Sequence, residues 1–166
     1  MAVTGKIDRK YMAHYIDAGS LCGGLTPKYE RLGKDLEEYN IELNPDTETS
    51  KNILGESTFK HNGYEVSSDA DPFYADTTSD LFGALQKIVD GRLKDDNLKT
   101  KAVEVHLWTE ATAGKYEAYQ QDCYVVPTSY GGDTSGYQIP FTVNYVGERV
   151  KGKFDINSGT FTADSE

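Results

Sequence analysis

The chain is poor in the residues that staple small folds or hold metals. It has two cysteines, Cys22 and Cys123, far apart, and three histidines on separate segments. Two distant thiols do not make a disulfide scaffold, and free thiols are the expectation. His14, His61 and His106 form neither a His-x-His pair nor a His-Glu-x-x-His motif, so neither a metal centre nor any cofactor is expected. No apolar run approaches the roughly 20 residues a bilayer-spanning helix needs. The first residues lack the apolar core of an export signal, so the chain is expected to stay in the cytoplasm where it is made. Basic residues are also scarce: 17 Lys and Arg stand against 27 Asp and Glu, a net charge of −10. That balance excludes a general nucleic-acid clamp and a basic membrane-surface helix. The phosphate-cradling Gly-x-x-x-x-Gly-Lys-Ser/Thr run and the Gly-x-Ser-x-Gly elbow are absent. Residues 69–80 carry acids at positions one, three and twelve of a calcium loop. Phe73 and Tyr74, however, stand where such a loop needs a side-chain oxygen and a glycine, so the stretch reads as a strand-to-helix connection.

What is present is one domain's worth of chain, 166 residues, long enough to bury about 70% of its unfolded surface without a staple. Tyrosine dominates the aromatics, 12 against six Phe and one Trp. Tyr suits strands and also contact surfaces, where its ring packs and its hydroxyl stays wet. The acidity is concentrated: residues 36–80 hold eleven acids and two bases. Such a stretch is either an ordinary solvated face or a surface that repels another polyanion.

The hydrophobic pattern is mostly of period two. A strand is expected over 11–18, then a long loop, 19–35, rich in glycine. Residues 36–43 alternate, with Tyr39, Ile41 and Leu43 on one face and Glu38, Asn40 and Glu42 on the other. A polar turn over 44–49 and a return strand over 51–59 make 36–60 a long hairpin, followed by a short strand at 64–66. Leu81, Leu85 and Ile88 recur at helical spacing and predict one helix over 79–90, capped by Thr77, Thr78 or Ser79 and stopped by Gly91. Strands follow near 103–107 and 116–126, then a flexible loop over 131–136. Tyr137, Ile139, Phe141, Val143 and Tyr145 share a face. Arg149, Lys151 and Lys153 share another, opposite Val150 and Phe154. The turn 157–159 leads to a last strand near 160–162. The predicted fold is mainly β, a β-sandwich or half-barrel with one flanking helix.

The order of segments carries more. Leu36-Glu-Glu-Tyr-Asn-Ile-Glu-Leu-Asn44, Lys51-Asn-Ile-Leu-Gly-Glu-Ser57, Asp71-Pro-Phe-Tyr-Ala75, the helix, Val126-Pro-Thr-Ser-Tyr-Gly-Gly-Asp-Thr134 and Gly136-Tyr-Gln-Ile-Pro-Phe141 follow one another. Over residues 10–163 this succession resembles the major tail tube proteins of tailed bacteriophages. The resemblance implies a structural virion protein, not an enzyme. Six subunits join their sheets into a ring, and rings stack into the hollow tube through which the genome passes. It further implies assembly in the bacterial host cytoplasm with a tape-measure protein, a tail-tip or baseplate initiator and a terminator. DNA crosses the lumen without specific binding, and the subunit itself has no membrane partner. Related tubes occur in phage-tail-like bacteriocins and contractile injection particles.

On this reading residues 1–166 are a single tail-tube domain with an arm over 1–10. Glu38, Asn40 and Glu42 are candidates to line an acidic lumen, which a duplex would slide past rather than bind. Candidates for contacts between subunits or rings are Asn44, Pro45, Asp46, Thr47, Glu48 and Thr49 in the hairpin. Gly23, Gly24, Leu25 and Tyr29 in the long loop join them, as does the arm. Arg149, Lys151 and Lys153 could meet acidic neighbours across a seam. The rival classes are a monomeric β-sandwich module binding sugar or peptide, which would show an exposed aromatic platform, and an enzyme, for which no residue set speaks.

Overall fold

The computed structural model describes residues 3–34, 36–109 and 112–164. Twelve strands and one α-helix run in the order β1 (Met12–Asp17), β2 (Tyr29–Leu32), β3 (Ile41–Glu42), β4 (Pro45–Lys51), β5 (Ser57–Tyr64), β6 (Ser67–Ala70), α1 (Asp80–Gly91), β7 (Lys99–His106), β8 (Lys115–Pro127), β9 (Gly131–Asp133), β10 (Gly136–Gln138), β11 (Phe141–Asp155) and β12 (Thr160–Ala163). Eight of the strands form one antiparallel sheet, β2-β1-β7-β8-β11-β6-β3, with β12 beside the C-terminal end of β11. The fold is mainly β, a curled half-barrel with one main helix, as the alternation predicts.

The curl is visible in aromatic contacts. β1 and β11 are three strands apart, about 14 Å along a flat sheet. Yet the Tyr15 and Phe154 rings lie 4.4 Å apart, and Tyr29 meets Phe154 edge-on at 5.7 Å. The sheet therefore curls over its own face at that end, around Ala13, Val103, Val105, Ala118 and Phe154, without its edges pairing. On its other face, at the other end, Phe141, Val143, Val125 and Cys123 are covered by α1 through Leu81, Leu85, Ile88 and Val89. The long β8–β11 ladder serves both cores, and a bulge between Val146 and Val150 changes its register midway.

The helix matches its expected limits closely. The Ser79 hydroxyl accepts from the Phe82 N–H and donates to the Glu30 carboxylate, which pins the helix start to β2. Its end differs. Gly91 remains helical and Arg92 takes the left-handed conformation: the backbone N–H of Arg92 caps the Ile88 and Val89 carbonyls, and its guanidinium donates to the Val89 carbonyl and, at 2.9 Å, to the Tyr130 hydroxyl.

Other expectations are corrected. The region 36–43 is a strand only at Ile41–Glu42. Tyr39 is drawn inward, its hydroxyl 2.7 Å from Ser68 Oγ and its carbonyl accepting from Arg9, so 36–40 leaves the ladder. The hairpin is not 36–60 but Pro45–Tyr64, and 44–49 is not its turn, since Pro45–Lys51 is a strand paired with β5. The strand at 64–66 is replaced by β6 one residue later. The loop 19–35 contains strand β2, recruited to the sheet edge by pairing with β1, and the loop 131–136 is a small β9–β10 hairpin. Asp35 of the long loop and Met1 and Ala2 of the arm lie outside the described residues.

Candidate assembly surfaces

The hairpin β4–β5 belongs to neither core. It is its own two-stranded sheet, and every residue of β4 is exposed. Threonines at 47, 49 and 58 favour extended backbone, but no apolar face is laid against the body. The turn is at 52–56. Asn52 Oδ1 accepts from the N–H groups of Leu54 and Glu56 at 2.9 and 3.0 Å, and Gly55 takes a φ of 81° that a side chain would resist. This polar scaffold carries an apolar tip: Ile53 is 102% exposed and Leu54 76%. Phe59 on β5 is exposed as well. The base is fixed to the body by Asn44, whose side chain donates to the Glu65 carbonyl at 3.0 Å and to Ser67 Oγ at 3.2 Å. Asn44 itself adopts φ 43°, a conformation Asn tolerates.

Of the predicted contact residues, Asn44 is this base clamp, and Pro45, Asp46, Thr47, Glu48 and Thr49 form the first hairpin strand rather than its tip. The true tip, Ile53 and Leu54, escapes the sequence reading because Ile53 looks like one position of an alternating strand. The signal that could have found it is the Asn-x-x-Gly run at 52–55, a turn signature.

The long loop is folded tightly back. The buried Asp17 carboxylate accepts from the N–H groups of Ser20 and Lys28 at 3.2 and 2.8 Å, and from the Ser20 hydroxyl. A Cβ at Gly24 would stand 1.9 Å from the Gly19 carbonyl oxygen, so only glycine allows this approach. Gly23 and Gly24 are exposed, and Leu25 stands clear of the body at 96% exposure. Tyr29 is spent within the chain. It packs on Phe154 and accepts from Gln120 at 2.6 Å, and burial pushes its phenol up to about 12.

The three candidate lumen residues are all exposed but not on one strand. Asn40 donates to Glu38 at 2.6 Å in the irregular approach to β3. Glu42, on β3, starts a row across the sheet: Glu42, Ser67, Asn144, Tyr124 and Lys99 stand opposite one another on successive strands. This row is on the face away from α1. Beside it Thr142 donates to Asp69 at 2.8 Å. That part of the sheet face is polar, with Glu42, Asp69 and Asp122 against Lys99 and Lys101.

On the α1 side, His14, Glu104, Tyr119 and Lys151 form another row. Burial pushes Glu104 up. The His106 ring and the Arg149 guanidinium outweigh it and hold the carboxyl below its ordinary range. Arg149 also lies 4.2 Å over the Tyr119 ring, and Lys151 is 3.9 Å from Glu117. Arg149 and Lys151 therefore already have acidic partners in their own chain. His14 is buried between Tyr39 and Arg9, and accepts from the Arg9 guanidinium at 2.9 Å. Desolvation, then the Arg9 charge, lowers its pKa to about 4. Next to this cluster is a cavity of about 210 Å³, floored by Ile16 and Ala102 and walled by Tyr39, Ile41, Leu43, Val66, Tyr119 and Arg149.

Among the described residues no group of three or more His, Cys, Asp or Glu is arranged to hold a metal, and no helix is long and apolar enough to cross a membrane. Cys22 and Cys123 are both free thiols. No family model and no curated protein matches the chain.

Proposed function

We propose that this chain is a structural subunit that assembles with copies of itself into the stacked rings of a tail tube, the conduit for a phage genome or the inner tube of a phage-tail-like particle. The observation that carries the reading is the hairpin Pro45–Tyr64. A two-stranded sheet is marginal in water on its own. Here such a sheet is exposed along its length and ends in two bare apolar side chains. A surface of that kind is built to be covered by another molecule.

Two further features support the reading. The half-barrel is open, with strands β2 and β3 at its edges, and open edges pair readily with a neighbour. The uncovered polar sheet face that includes Glu42 suits the wall of a channel whose contents must slide. In this reading Glu42 faces the lumen together with Glu38 and Asn40, and the tape-measure protein, tip initiator and terminator are the partners.

Negative-stain electron microscopy of the purified chain at rising concentration tests this. Rings or hollow tubes are the expected result. A species that stays monomeric at every concentration, and also when preformed tail tips are added, overturns it.

A further inference from the structure

We propose that the hairpin tip of one copy, Ile53 and Leu54, seats in the cavity at the hairpin base of a second copy, between Leu43, Val66, Tyr39 and Arg149. The proposal rests on the self-assembly reading and names the contact that reading needs.

Reach decides the partner. Leu43 and Val66 sit just outside the first hairpin rung, Pro45 to Tyr64. Six residue steps along β4 put the tip about 20 Å away. The exposure of both strands shows that the hairpin does not fold back over the body. A tip therefore cannot fill its own cavity, only another copy's.

Size and apolar lining fit the same occupant. At about 210 Å³ the cavity is smaller than the roughly 300–1,000 Å³ of sites for cofactors and drug-sized ligands. Apolar side chains from a tight turn suit it better. Its most buried lining is aliphatic, Ile16 and Ala102, and its charged lining is balanced, Arg149 paired with Glu104. At the tip Glu56 is held by the Asn52 side chain, which leaves Ile53 and Leu54 as the groups that need cover, and they match the aliphatic part of the cavity.

The contact is heterologous, tip to base. Such contacts repeat without limit, into rings if the rotation closes and filaments if it does not. One tip and one cavity per chain thus suffice for growth.

The test uses two full-length variants: a dead tip, Ile53→Asp with Leu54→Asp, and a dead cavity, Leu43→Asp, at a residue exposed enough to leave the fold intact. If the cavity variant melts below the wild type, Gln121→Trp, which fills the same cavity, replaces it. Mass is read by analytical ultracentrifugation and micrographs. Each variant alone is expected to lose long tubes. Their equimolar mixture is expected to double the mass of either alone and stop there, because each pair spends its one good tip and one good cavity. Tubes from either variant overturn this contact while leaving the assembly reading intact. A mixture that stays at the mass of its components also overturns it. A wild-type chain that never assembles overturns both.

Discussion

The β8–β11 ladder and the β4–β5 hairpin are made by the same antiparallel pairing, yet they differ in everything beside the backbone. Along β8 and β11 seven of 28 residues are buried, including Ala118, Val125, Phe141, Val143 and Phe154. Along β4 none is. Since backbone pairing contributes little net free energy against water, stability resides in the ladder that buries apolar area. The hairpin is left free to carry whatever residues association requires. A body that folds alone and an arm that waits for a partner give two properties that mutations can change separately.

The largest separation is expected at phenylalanine. Phe154→Ala removes a wholly buried ring shared by β1, β2 and β11 and should cost about 3–5 kcal/mol in urea unfolding. Phe59→Ala, on the exposed hairpin, should change the same measurement by less than about 0.5 kcal/mol. Equal losses would dissolve the distinction.

The pH dependence should come from the body too. Unfolded, His14 takes up a proton near its ordinary 6.5; folded, it does so only near 4. Between those values the unfolded state binds more protons, so stability falls as pH is lowered through that window, by about 3 kcal/mol in all. Above 6.5 the contribution is fully present. His14→Gln should flatten the slope between pH 6.5 and 4.5. Below that, Glu104 adds to the loss, since its lowered carboxyl pKa stabilises the fold until it protonates, and Asp76 and Asp155 are held low as well by their hydrogen bonds to Thr78 and to the Asn157 and Ser158 N–H groups. An unchanged slope in the variant would remove His14 from the account.

These same contacts explain what could be read from the residues in order. Burial patterns survive in sequence where one face is covered. The helix, the strand after residue 99 and the run of Ile139, Phe141 and Val143 were legible because their partners are in the same chain. The hairpin was legible as a hairpin but misplaced. With both faces wet, nothing in the alternation distinguishes the strand Pro45–Lys51 from a polar turn. Tyr39 misled in another way: its alternation was right, but its ring is buried and its hydroxyl bonds Ser68 from a segment that pairs with no strand. The cavity was invisible, since it gathers Leu43, Val66, Tyr119 and Arg149 from four distant places.

Ser79→Ala should fall between the extremes. It removes the cap on the Phe82 N–H and the hydroxyl held by Glu30, and should cost about 1 kcal/mol with a small loss of helical circular dichroism. A neutral result would mean that Glu30, through its bond from the Asp80 N–H, caps the helix unaided.

The smallest expected effect is the most discriminating. Deleting 48–60 and joining Thr47 to His61 through Asn-Gly keeps the base of the hairpin and its clamp at Asn44, and uses a turn that the paired strands accept. The removed residues are exposed and belong to neither core. The unfolding midpoint and its slope with urea should therefore hardly move, the free energy by less than about 0.5 kcal/mol. Hydrogen exchange of the intact chain supplies the converse. Amides of β4 and β5 should exchange orders of magnitude faster than those of β8 and β11 in the isolated subunit, because opening the hairpin uncovers no core. In the assembled state they should become protected. A truncation that lost 2 kcal/mol or more would mean the hairpin stabilises its own chain, and the need for a second copy to cover it would disappear with that result.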